Sequence, residues 1–146
     1  MFAAPATTDE SRFETLLWRL LQRLHDRDAP QHRWDASVTP DPASGEFSFS
    51  LAERAFFIVG MHPGASRHAR RFAYPVVVFN THAQFKMLRA KGFYETVGDK
   101  ISGNDRALQG SVNPSLPDHG ASPEARQYSG RQVEADGTCP FRAHAA

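Results

Sequence analysis

The run from Phe56 to Phe85, FFIVGMHPGASRHARRFAYPVVVFNTHAQF, gathers three of the seven histidines (His62, His68, His82) with three arginines (Arg67, Arg70, Arg71). Imidazole carries protons near neutral pH and donates a lone pair to metals. Guanidinium forks grip carboxylates and phosphates through paired N–H groups. His62 stands in Gly60-Met61-His62-Pro63-Gly64 and His82 in Asn80-Thr81-His82, each just after an apolar run. Scaffolds present chemistry at such places, because rigid strands fix what the following loops display. A short helix over Ser66–Phe72, capped by Ser66, would put Arg67, Arg70 and Arg71 on one side and aim free amides at an anion. The plainer alternative stays open: two core strands joined by surface turns, with a solvated basic face.

The elements that must position these groups are readable around them. Ala55–Gly60 and Pro75–Asn80 read as strands buried on both faces. Glu46–Leu51 alternates Phe47 and Phe49 with Ser48 and Ser50, a half-buried strand with its serine face exposed. Ala52-Glu53 closes a tight hairpin from it into Arg54–Gly60. Upstream, Ser11 and Glu14 form a capping box for a helix over Ser11–Arg27. Its stripe is Phe13, Leu16, Leu17, Leu20 and Leu24, widened by Trp18 and Leu21. It stops before Asp28-Ala29-Pro30, and residues 29–45 read as loop with Trp34 as a packing anchor. Thr81 and Gln84 make a second capping box for a helix over Thr81–Lys91. Residues 103–146 are irregular, with only Glu124–Tyr128 looking helical; so long an aperiodic stretch either lines a site or is disordered. The predicted class is α+β: one domain over 1–146, a small, mainly antiparallel sheet with packed helices, and a long irregular C-terminal segment.

Composition narrows the function classes. At 146 residues and 40% hydrophobic content the chain can bury a core. A net charge of +1 argues against nucleic-acid or membrane-surface binding through bulk electrostatics. The single cysteine excludes an internal disulfide and suits a reducing compartment. No apolar run is long enough to span a bilayer, and MFAAPATTDES lacks the basic and apolar regions of a signal peptide. A soluble cytoplasmic protein is expected. The chain has no GxGxxG, P-loop, HExxH, paired CxxC or GxSxG pattern.

GMHPGASRHARRF followed by VVVFNTHAQFKMLRAKGFYE resembles the YqcI/YcgG family. His62, Pro63, Ser66, Arg67, Ala69, Arg70, Arg71, Phe72, Phe79, Asn80, His82, Gln84, Phe85, Leu88 and Arg89 match its pattern. LQGSVNP (Leu108–Pro114), EARQYSGR (Glu124–Arg131) and CPF (Cys139–Phe141) continue it in order. Departures fall at Ile101–Asp105, at Pro123 where a serine is usual, and at Gly137-Thr138 where an aromatic is usual. The chain also reads as shortened at its N-terminus relative to the family.

The resemblance implies haem-dependent N-hydroxylation of a guanidino or amine nitrogen on an amino-acid-like substrate such as arginine. Haem b would take its iron ligand from His62, with His82 and then Cys139 as the other candidates. Arg67, Arg70 and Arg71 would meet the propionates and Phe79 the macrocycle. Asn80 would bond the second ring nitrogen of His62, or manage oxygen on the distal side together with His82. Tyr128 would offer a hydroxyl near the reacting nitrogen. Asn113, Glu124 and Asp118 would receive the basic group, and Arg126 or Arg131 the carboxylate. An electron donor or peroxide is required as co-reactant. The alternative is a non-catalytic haem-, anion- or partner-binding module derived from the family, which would self-associate through an exposed apolar patch.

Overall fold

Asp9 starts the first helix. Its extended backbone sets its carboxylate to accept the Arg12 amide at 2.8 Å, opening α1 (Glu10–Asp28). A carboxylate there also opposes the positive end of the helix dipole, worth about 0.3–1 kcal/mol. The expected Ser11–Glu14 box therefore does not form. Ser11 lies inside the helix with its carbonyl accepting the Thr15 hydroxyl, and Glu14 turns to Arg131 and Ser129. The buried stripe is Phe13, Leu17, Trp18, Leu21 and His25.

The computed structural model describes residues 9–83, 87, 123–134 and 136–145. After α1 come β1 (Phe49–Leu51), β2 (Arg54–Met61) and β3 (Val76–Thr81), with 3₁₀ turns at His68–Arg70 and Glu124–Gln127. The sheet order is β1-β2-β3 with both pairings antiparallel, so the class is α+β as the sequence predicts. The expected hairpin forms at Ala52 and Glu53, which take φ values of 50° and 61°. Left-handed conformations at both turn residues match the twist of the flanking strands. Neither residue is glycine, and Asp28 steadies the turn by accepting the Ala52 amide at 2.9 Å. Of the second expected helix, Thr81–Lys91, Thr81 instead ends β3, while His82, Ala83 and Met87 are helical. Its other residues lie outside those described.

Two expectations about burial need correcting. The serine face of β1 is covered, with Ser48 and Ser50 at 1% and 2% exposure. The 29–45 loop folds back over it: Ser50 accepts the Asp35 amide at 2.9 Å, while Asp35 accepts the Ala55 amide at 2.8 Å. Conversely, β2 buries only Ala55, Ile58 and Gly60, and β3 is half-buried along its whole length. Among the described residues β3 is an edge strand, with no neighbour on one side.

The described part of the irregular C-terminal segment is core. Phe141, at 1% exposure, has its ring 5.4–6.3 Å from those of Trp18, His25, Trp34, Phe47 and Phe49. Trp34 is thus a packing anchor, as expected. The Gln22 side chain pairs both ways with the backbone of Arg142 at 2.9 Å, and the His144 amide donates to His25 Nε2 at 2.9 Å. Side-chain bonds of this kind satisfy backbone groups that no helix or strand serves. Among the described residues no helix is long and apolar enough to cross a membrane.

Gly60 marks the tightest contact between layers. A Cβ there would lie 2.6 Å from Phe13 Cε1 and 2.9 Å from the Tyr128 carbonyl oxygen. Gly60→Ala is expected to lower stability by about 1–3 kcal/mol through overpacking. A urea denaturation midpoint equal to that of the wild type would show that Phe13 and the 128 carbonyl retreat freely.

Candidate functional site

β2 delivers His62 to a sealed place. The Met61–Val76 pair ends the β2–β3 ladder, and the Pro63-Gly64 turn follows at once. The His62 amide donates to the Arg70 carbonyl at 3.0 Å, while its own carbonyl accepts from Ala65 and Phe72. The ring is 0% exposed, lies face to face with Phe13 at 4.4 Å, and among the described residues has no hydrogen-bond partner on either nitrogen. Burial lowers its pKa below the ordinary histidine value, against a smaller opposing pull from Glu10 and Asp9. A neutral imidazole with unclaimed lone-pair capacity results, which is the state a metal donor needs.

The loop after His62 does not build the expected helix. Ser66 gives its amide and hydroxyl to Glu10 Oε1 at 2.9 and 2.8 Å instead of capping Ser66–Phe72. What remains is the 3₁₀ turn His68–Arg70, with Arg67 at its cap position. Arg70 donates to the Gly60 carbonyl at 3.2 Å and Arg71 to the Ala65 carbonyl at 2.8 Å, so both guanidinium groups brace the loop that carries His62. Phe72 points outward at 48% exposure.

Antiparallel pairing separates the two motif histidines. Thr81 pairs with Phe56, and Val76 with Met61, so His82 and His62 leave opposite ends of the same ladder. Five strand steps correspond to about 17 Å. Asn80 lies near the His82 end and donates to the Phe57 carbonyl at 3.4 Å, so it does not bond His62. Phe79 packs its ring on Phe56 and Phe49, at 5.9 and 6.3 Å.

The far end holds a second polar cluster. Ser48 Oγ lies 2.6 Å from His82 Nε2 and 2.6 Å from Glu124 Oε2, and His82 Nε2 is 3.3 Å from Glu124 Oε1. Ser48 immediately precedes β1, His82 follows β3, and Glu124 opens the 3₁₀ turn behind Pro123. Three remote segments thus meet at one ring nitrogen. A nucleophilic triad puts serine and carboxylate on different ring nitrogens, which this cluster does not do. Beside it the fully buried Tyr128 hydroxyl accepts the Phe49 amide at 3.1 Å and donates to the Phe56 carbonyl at 3.4 Å. Burial, then the Glu124 charge, pushes its pKa well above 10, so it serves as a neutral phenol.

His82, Glu124 and Tyr128, singled out from the sequence, are therefore neighbours, whereas His62 with Arg70 and Arg71 forms a separate group. Arg126 and Cys139 line a cleft of about 500 Å³ together with Trp18, Asp41 and Phe141. Burial pushes the Cys139 thiol up to about 11, so it keeps its proton at neutral pH. Arg131 is held by Glu14 at 2.9 Å, which raises its pKa. Asn113 and Asp118 lie outside the described residues. Sequence reasoning missed Ser48, Glu10 and Phe13. The only signal for Ser48 was that its strand face carried small hydroxyls and no charge.

The burial of neutral His62 makes stability depend on pH. Its folded pKa is depressed, so the unfolded chain takes up a proton first, near the ordinary value of about 6.5. Its contribution is complete above that value and declines as the pH falls through it. His25, also lowered by burial, acts in the same direction. The urea midpoint should be lower at about pH 5.5 than at about pH 7.5. His62→Leu should shrink that difference, and an unchanged difference would acquit His62.

Comparison with known proteins places this geometry. No solved structure matches the chain significantly. It is similar to a Bacillus subtilis protein named only as uncharacterized protein YcgG, with 26% identity over 138 residues. The match takes in 88% of this chain and 53% of the relative, so the chain spans about half the relative's length. The sequence profile of the YqcI/YcgG family matches residues 1–142, spanning both histidine clusters and the tail, and the chain belongs to that family.

Proposed function

We propose that this chain serves haem-dependent oxygenation, hydroxylating a guanidino or amine nitrogen of an amino-acid-like substrate, with His62 as the protein's donor to iron. The observation that carries this is the His62 ring itself. A 0%-exposed imidazole with two unpartnered nitrogens incurs a desolvation cost that hydrogen bonding within the fold does not offset. A bound ligand is one way in which native proteins satisfy such groups. His62 would hold haem iron through a single ring nitrogen, so a solitary histidine would suffice. Cys139 suits the role less, because its thiol would first have to lose a proton held to about 11.

When bound, haem would supply the redox chemistry, using O₂ with an electron donor or using peroxide. The chain's own part is to hold and exclude. Phe13 fixes the plane of the His62 ring, and the 62–72 loop pins its backbone. Arg67, Arg70 and Arg71 stand in that loop and carry the charge that propionates require. Arg126, in the cleft beside Trp18 and Phe141, suits a substrate carboxylate, and Asp41 there suits a basic group. His82 and Glu124 hold an acid–base pair at the other end of the hairpin.

A second reading, a non-catalytic partner-binding module, is favoured by Phe72 and Tyr74, 48% and 58% exposed just before β3. Self-association through those rings would appear as dimers or larger species in light scattering. Strictly monomeric behaviour, unchanged by haem, would remove it.

The deciding measurement is the absorption spectrum of the whole chain produced with a haem supply. The wild type is expected to show a Soret band that His62→Ala loses and Cys139→Ala keeps. Loss in Cys139→Ala with retention in His62→Ala would move the donor to the cysteine. A wild-type chain that never takes up haem would overturn the oxygenase proposal.

A further inference from the structure

The geometry points to Ser48 as a proton relay that joins Glu124 and His82 into one acid–base unit. Neither the family nor the haem proposal assigns Ser48 a role, and the inference stands whether or not the chain binds haem.

A serine hydroxyl has one proton to give and lone pairs to receive. Ser48 is 1% exposed and sits 2.6 Å from each partner, short even for hydroxyl hydrogen bonds and typical of charge-assisted ones. Two arrangements with Nδ1 protonated satisfy Nε2, the serine hydroxyl and Glu124 Oε2 together. In the first, Glu124 is a carboxylate and His82 an imidazolium: His82 Nε2–H donates to Ser48 Oγ, and the Ser48 hydroxyl donates to Glu124 Oε2. In the second, Glu124 is a carboxylic acid donating to Ser48 Oγ, and the Ser48 hydroxyl donates to a bare His82 Nε2. Passing from the first to the second, Nε2 gives its proton to the serine oxygen while the serine gives its own to the carboxylate. The serine ends as it began, Nδ1 keeps its proton, and net charge is unchanged.

Two effects act on this pair in opposite directions. Glu124 is 8% exposed, and burial favours the neutral pair. Contact at 3.3 Å between Nε2 and Oε1 favours the charged one. Among the described residues Tyr128 is a further titratable group facing the cluster; it stays a phenol, and its hydroxyl bonds Phe49 and Phe56 and also meets Ser48. β1 and β3 bring Phe49 and Thr81 to this end, neither of them ionisable. The His82 side chain is 22% exposed and that of Glu124 is 11%, so protons enter and leave through the histidine.

The test is nuclear magnetic resonance of the full chain, reading both ring nitrogens of His82 and the carboxyl carbon of Glu124 at neutral pH. A shared proton gives Nε2 a shift between the protonated and bare limits while Nδ1 stays at its protonated limit. Ordinary tautomer exchange would instead move the two nitrogens in opposite directions. The Glu124 carbon should move in step with Nε2 on titration. Ser48→Ala should send Nε2 to one limit and break that concert, and Ser48→Thr, which keeps the hydroxyl, should restore both. An Nε2 at either limit in the wild type, or a Ser48→Ala spectrum with the intermediate shift intact, overturns the relay. If Ser48→Ala does not fold, Glu124→Gln decides. It should fix Nε2 at a single limit, and an intermediate Nε2 surviving without the carboxylate overturns the relay too.

Discussion

The constraint on which the described structure most depends is the burial of Tyr128. Its ring stacks on Trp18 of α1 at 5.7 Å and meets Phe57 of β2 edge-on at 5.8 Å. Its hydroxyl bridges the Phe49 amide and the Phe56 carbonyl, and its own carbonyl accepts the Gly60 amide at 2.7 Å. A buried hydroxyl without partners costs about 1–3 kcal/mol, so its position must agree with both strands at once. β1 is three residues long, and this residue from the far end of the sequence secures its pairing. The same placement sets Glu124, four residues earlier, against Ser48 and His82.

The tyrosine also explains why the two motif histidines have different surroundings. At the Gly60 end the sheet meets Phe13, whose ring stacks on that of His62. At the Phe56 end it meets the 124–128 turn, and His82 finds a hydroxyl and a carboxylate. One hairpin thus carries an imidazole stacked on an aromatic ring and, at its other end, an imidazole beside a hydroxyl and a carboxylate. A single buried strand pair can do this because its ends pack on elements of opposite chemistry.

Local signals in the sequence were legible and remote ones were not. The Ala52-Glu53 hairpin, the three strands and the end of α1 followed from period and turn residues within a few positions. Asp9 displaced Ser11 as cap because either side chain can serve, and spacing alone does not choose between them. Ser48 was assigned to solvent because alternation tells two faces apart without saying that the second is uncovered. Phe141 lay in a stretch without periodicity, so nothing marked it as the ring on which five others converge. Of the candidate site, the residue types were readable. The division into two groups required the register of β2 on β3.

That last placement bears on how the chain is made. The helix can form soon after its own residues emerge, since its bonds are local. Its hydrophobic face is completed only when residue 141 arrives, with Gln22 and Arg142 bonding across 120 positions. Throughout synthesis of the intervening chain, Trp18, Phe47 and Phe49 have no Phe141 to pack against. Chains with such remote closing contacts fold slowly and expose apolar surface meanwhile. The aromatic surface of α1 and β1 is therefore closed only once the CPF stretch has been added to the chain.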